Sequence, residues 1–335
     1  MLKLFQSIFG SEGNASRYPP HLVAQAIERV VDGTDPRLRA LSGYKKRLRP
    51  AVLKLIDHVV ALVTALPPPV NADRECYAGD PRLSVLFSSA ERMLEIFAYD
   101  ANLSAFLQAQ NLPPERVLVL LMAECVEKNI LGMDLAGDQV RQDVAQEVVT
   151  FTGFRLVDPA VDEHELRRQL RRRAFDHILT LALGEIVSRR EARAGLQRQR
   201  DLLQRKLSAL ERSGWSFADA PASGASSRPL AEELEEVERQ IETIGSPAAV
   251  LEQHLDLVCS MLEQAPAHLW GAPLRLCLDR MNIKRQPGDA GAVCIELTEL
   301  HNRQGRRLVV LPVMITLAGL PAREHPLKAA ERYLI

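Results

Sequence analysis

Apolar residues recur at helical spacing along most of the chain. Leu22, Val23, Ala26, Ile27 and Val30 form one stripe, and Leu48, Val52, Leu55, Ile56, Val59, Leu62, Val63 and Leu66 form a longer one that three prolines at 67–69 bring to an end. Leu83, Leu86, Phe87, Ala90, Met93, Leu94 and Phe97 give the clearest amphipathic helix. Further helices are expected over 112–131, behind the Pro113-Pro114 pair, over about 162–212, and from Pro247 through Val250, Leu251, Leu255, Val258 and Leu262. Asp35-Pro36, Asp80-Pro81, Asp158-Pro159 and Ser246-Pro247 each set a capping side chain before a proline whose fixed φ suits the first helical position. They therefore predict four helix starts.

The pattern changes in two places. Residues 148–157 are β-branched and aromatic around Gly153, which suggests a small hairpin. In the tail, Val293, Ile295 and Leu297 alternate with Cys294, Glu296 and Thr298. Asn302-Arg303-Gln304-Gly305 and an apolar run from Leu308 to Val313 follow, and together they predict a β-hairpin with a four-residue turn.

Near the middle, Leu196, Leu203 and Leu210 step by seven with Leu207 alongside, and Leu230, Leu234, Val237, Ile241 and Ile244 step by four and three. A low-complexity stretch at 213–229 joins the two, so antiparallel pairing of the arms is expected. Charge agrees with that pairing. Residues 189–212 hold eight basic against three acidic side chains, a net +5, and residues 230–244 hold one against six, a net −5. The expected architecture is mainly α. It is a helical bundle with an inserted antiparallel coiled-coil hairpin and a small C-terminal β-hairpin. The segments are an amphipathic start at 1–10, a tether at 11–20, a helical body at 21–188, the hairpin at 189–244, and a helix plus β-hairpin at 245–335 that completes the body.

Composition adds few constraints. A charged fraction of 25% with a net charge of −1 leaves no overall field to draw the chain to polyanions, so any such attraction must be local. No apolar stretch approaches the roughly 18 residues that cross a bilayer, which places the chain in the cytoplasm, peripheral at most to the inner face of a membrane. Cys76, Cys125, Cys259, Cys277 and Cys294 make an odd set with no C-x-x-C pair, and they read as buried thiols of a reducing compartment.

Local catalytic signatures do not occur, and neither a metal nor another cofactor is expected. Of the best ligand sets, Glu163 with His164, Asp176 with His177, and Glu252 with His254 and Asp256, the last alone has two ligands at i, i+4 with a third nearby, and its helix also carries the core residues Leu251 and Leu255. Three features point to binding instead. Leu4, Phe5, Ile8 and Phe9 make the start amphipathic and suited to a membrane surface. Arg167, Arg168, Arg171 and Arg172 share a helix face opposite Leu166 and Leu170 and are candidates for anions. Trp215 and Phe217 at the hairpin loop, with Leu234, Val237 and Ile241 on its seam, are candidates for a partner protein. The function expected is a non-enzymatic scaffold or adaptor that binds a protein partner or self-associates through its hairpin, with a membrane contact at the N-terminus. The alternatives are nucleic-acid association through the face from Arg167 to Arg173, and an enzyme whose site is assembled only in three dimensions.

Overall fold

The computed structural model describes residues 18–136, 139–213, 223–289 and 291–322. It corrects the fold class. The chain combines helices with a six-stranded sheet that is antiparallel apart from one short strand, and is not mainly α with one small hairpin. It divides into two compact units.

The first unit takes residues 57–174 and the described residues from 266 on. Its strands are β1 (Val70–Asn71), β2 (Arg116–Ala136), β3 (Gln139–Ala160), β4 (Leu269–Leu278), β5 (Val293–Asn302) and β6 (Arg307–Thr316), in the order β3-β2-β6-β5-β4 with β1 parallel to the end of β6. The tail hairpin is present as β5 and β6. The helix expected over 112–131 is instead β2, and the small hairpin expected over 148–157 is one stretch of β3. Both faces of β2 are covered. Val117, Val119 and Leu121 belong to one core cluster and Leu118 and Leu120 to another, so the sequence shows a continuous apolar run with no period to separate strand from helix.

Three short helices, α3 (Pro81–Leu86), α4 (Ala90–Tyr99) and α5 (Ala101–Gln108), contribute to the first of these clusters. The first two replace the single helix expected from Leu83 to Phe97. The break falls at Phe87, whose ring lies edge-on to Phe97 at 5.7 Å and stacks on Phe154 at 4.7 Å. Ser89 then caps α4. Asp100 caps α5 and also accepts the backbone N–H of Leu156, while Asn102 donates to the Leu156 carbonyl, so α5 is pinned to β3 by two polar bonds. The predicted helix start at Asp158-Pro159 is absent. Asp158 lies within β3, two residues before its end at Ala160, with φ of +54°, and the helix starts beyond it, where Asp162 accepts the N–H of Glu165.

The outer strands β3 and β4 do not both end in open edges. The segment 279–285 donates from Lys284 to the Glu147 carbonyl and accepts from Val149 at Asn282, and on its other side Arg285 donates to the Cys277 carbonyl. It thereby ties the two margins of the sheet together and covers part of each. Beyond Ala123, where pairing with β6 ceases, β2 continues with β3 as a two-stranded ribbon.

A second correction concerns the cysteines. Cys277 and Cys294 face each other directly across β4 and β5, with Cα atoms 3.9 Å apart, and form a disulfide. Cys76, Cys125 and Cys259 are free and half-buried. The pairing is invisible until β4 is recognised as the partner of β5.

The second unit takes the described residues up to 56 and residues 175–265. It comprises α1 (Pro20–Gly33), the first part of α2 (Tyr44–Thr64), the greater part of α6 (Glu163–Ser213), α7 (Ser223–Ile244) and α8 (Pro247–Glu263); α9 (Ala265–His268) follows at the boundary. Leu22, Val30, Leu48, Val52, Leu55, Ile178, Ala182, Leu255 and Val258 from four of these helices are buried, as their helical spacing predicts. Each buried Leu, Val or Ile among them contributes roughly 1.5–3 kcal/mol of transfer free energy.

Candidate functional site

The hairpin arms are α6 and α7. Helix α6 holds 51 residues, about 77 Å at the usual rise, and α7 holds 22. Gln199 donates to Glu233 and Gln204 to Glu238, both at 3.2 Å, and Arg193 donates to the Gly245 carbonyl at 3.2 Å. Gly245 adopts φ of +88° and returns its N–H to Ile241 and Glu242, a left-handed cap that ends α7. Helix α7 begins at Ser223, so residues 223–229, expected in the loop, are helical.

Along the seam, Leu203 and Val237 are buried. Leu196, Leu207, Leu210, Leu234, Ile241 and Ile244 are only half-covered, and Leu202 is exposed. Of the partner-binding candidates, Leu234, Val237 and Ile241 lie on α7, with Val237 buried and the other two half-buried. Trp215 and Phe217 lie outside the described residues, as do Leu4, Phe5, Ile8 and Phe9.

The arginine run serves the fold at three positions. Arg167 donates to the carbonyls of Val63, Leu66 and Pro67 at 2.8, 3.3 and 3.3 Å, where α2 ends and its last carbonyls lack helical partners, and it also binds Glu163. Arg168 pairs with Glu165, and Arg173 forms a bidentate pair with Asp158 at 2.6 and 2.7 Å. Arg171 and Arg172 lie on the same helix, and both have partners. The face proposed for anions is thus in good part engaged within the protein.

Members of each ligand set weighed from sequence are likewise engaged, Glu163 by Arg167. Asp176 pairs with Arg29, Glu252 and Asp256 both bind Arg47, and His254 points to Asp35. Asp35 is the centre of a buried polar knot that sequence reasoning identified only as a helix cap. Its carboxylate accepts the N–H and the guanidinium of Arg37, lies 2.9 Å from Nδ1 of His254, and lies 2.5 Å from Nη2 of Arg190. Burial works against the charge, but the hydrogen bonds from Arg37, His254 and Arg190 overcome it and hold the carboxyl well below the usual carboxylate range.

A second polar group occupies the sheet of the first unit. Glu299, buried, takes a bidentate pair from Arg307 at 3.0 Å, and Nε2 of His301 lies 2.9 Å from the same carboxylate. His301 stacks on Trp270 at 5.4 Å. Lys284 lies 2.9 Å from both Glu127 and Glu147. Lys284 lowers the carboxyl pKa of Glu127, and Glu299 raises the pKa of Arg307. Burial, then Glu127 and Glu299, push the Cys125 thiol up to about 11, so this sulfur stays protonated and is a poor nucleophile. A signal for the group was present in the sequence: Glu299 and His301 continue the inward register of Ile295 and Leu297, where apolar residues are expected. Chemically, both polar groups are arrays of opposite charges closed upon each other, suited to fixing strands and helices.

Comparison of the chain with protein-family models, with curated proteins and with solved structures gives no match. The class the molecule defines is therefore a structural one: a sheet unit and a helical unit, the latter carrying an extended helical hairpin. Among the described residues, no helix is long and apolar enough to cross a membrane.

Proposed function

We propose that the protein is a non-enzymatic scaffold or adaptor whose working surface is the α6–α7 hairpin, used for self-association or for a helical partner. The observation that carries this is the half-covered seam. Leu196, Leu207, Leu210, Leu234, Ile241 and Ile244 retain exposed area along two paired helices, a surface that a third or fourth helix would cover. The opposite net charges of the arms favour their antiparallel pairing and leave the apolar flanks as the adhesive surface. Nucleic-acid association is less well supported, because Arg167, Arg168 and Arg173 already bind groups of the protein itself.

The test is the solution mass by light scattering of the full chain beside a variant lacking residues 190–244. An oligomer that falls to a monomer on deletion, with the sheet unit still folded by circular dichroism, is the expected result. An oligomer that persists without the hairpin would overturn the assignment. For a full chain that is monomeric, the same two proteins are used as baits, and retention of one partner by both would equally defeat it.

A further inference from the structure

Beside β4 and β5 lies a cavity of about 620 Å³, within the size range of small-molecule sites. The disulfide Cys277–Cys294 forms part of its wall, together with Arg275, Lys284, Arg285 and Glu296. Cys294 is exposed, whereas Cys277 is half-buried between the buried Leu276 and Leu278. A disulfide that serves only to brace a fold is normally kept from reductants; this one opens onto a cavity large enough to admit them. Its reduction leaves the strands paired, because nine other residue pairs join β4 to β5 from Leu269↔Asn302 to Leu278↔Val293.

We propose that Cys277–Cys294 is a thiol-exchange site for a small thiol carrying carboxylates. The thiolate enters the cavity and attacks Sγ of Cys294, the more accessible sulfur. A bond forms between the two, the Cys277–Cys294 bond breaks, and Cys277 leaves as a thiolate that takes a proton from water. A second molecule of the thiol attacks the mixed disulfide through its own sulfur and releases Cys294, also protonated from water. In sum, two small thiols are oxidised to one disulfide, and the protein disulfide is reduced to two thiols. The preference for an acidic thiol comes from the wall. Arg275 and Glu296 are paired at 3.1 Å but are 80% and 59% exposed, and a pair so exposed is held by less than about 1 kcal/mol. Arg275 is therefore able to turn to a ligand carboxylate, whereas Lys284 and Arg285, also in the wall, are held by Glu127 and Glu147 and by Asp279.

The experiment uses the full chain purified in air. Alkylation followed by peptide mapping should find Cys277 and Cys294 protected, and brief exposure of the native protein to millimolar reduced glutathione should open both while circular dichroism is unchanged. In Cys277→Ser, oxidised glutathione should modify Cys294 at least tenfold faster than Cys76, Cys125 or Cys259. Arg275→Glu should slow reduction by glutathione severalfold and leave reduction by 2-mercaptoethanol unchanged. Cysteines already alkylated without reductant, or a disulfide that yields to glutathione only once the chain unfolds, would overturn the exchange site. Equal effects of Arg275→Glu on both thiols would overturn the preference for an acidic one.

Discussion

Asp35 is the residue whose environment is most demanding. Its side chain is 1% exposed and carries a negative charge that the guanidinium groups of Arg37 and Arg190 face and that the ring of His254 contacts. Removing one member of a buried ionic group leaves the others uncompensated, and Asp35→Asn should cost about 3 kcal/mol of unfolding free energy by urea titration. The pH dependence follows from the direction of the shift. Because the folded carboxyl has a depressed pKa, its contribution is fully present above the unfolded value of about 3.9 and is lost as pH falls from there through the lower folded value. The gap in stability between wild type and Asp35→Asn should hence be constant from pH 7 to about pH 5 and narrow below about pH 4. A gap that stays constant down to pH 3 would show that geometry, and not charge, is what the position needs.

At the scale of elements, Arg167 links two segments that are far apart in sequence, closing the C-terminus of α2 with a side chain from the first turns of α6. Arg167→Met should lower stability by roughly 1–2 kcal/mol, and Lys should restore less than half of that, since a single ammonium cannot span three carbonyls as the guanidinium fork does. If Arg167→Met instead left the urea midpoint in place and weakened binding to heparin, the residue would belong to an anion site. The same stretch marks how far sequence could be followed. Helices α1, α2, α6 and α8 were legible from their stripes, and α7 as a helix from the spacing of its leucines and isoleucines. The tail hairpin was legible from alternation and its glycine turn. Strand β2 was not, because a strand buried on both faces loses the period of two, and Pro113-Pro114 imitates a helix start. Missing β2 hid the sheet, and with it the disulfide and the Glu299 group, which exist only across strands. The arginine face was legible as a pattern but not in its use, because the carbonyls that occupy Arg167 lie a hundred residues earlier in the chain.

For the molecule as a whole, the charge of −1 means that long-range attraction contributes little to association, and whatever joins two chains must act at contact. The basic and acidic arms carry opposite net charges within one chain, where the neutral amides of Gln199 and Gln204 reach Glu233 and Glu238. What remains is the apolar flank of the seam, and burial of that surface is not weakened by salt. The mass measured by light scattering should therefore be the same in about 0.05 M and 0.5 M sodium chloride. Leu234→Glu combined with Ile241→Glu should bring it down to a monomer while helix content is kept, since both side chains are half-exposed within the single chain and tolerate a polar replacement there. Contacts to polyanions behave in the opposite way, with affinity falling by orders of magnitude over the same range when several phosphates are neutralised. An assembly that dissolves as salt rises, and that survives both glutamates, would thus move the adhesive surface from the leucine flanks to the charged arms. The pairing of those arms would then have to be read as an exchange between chains.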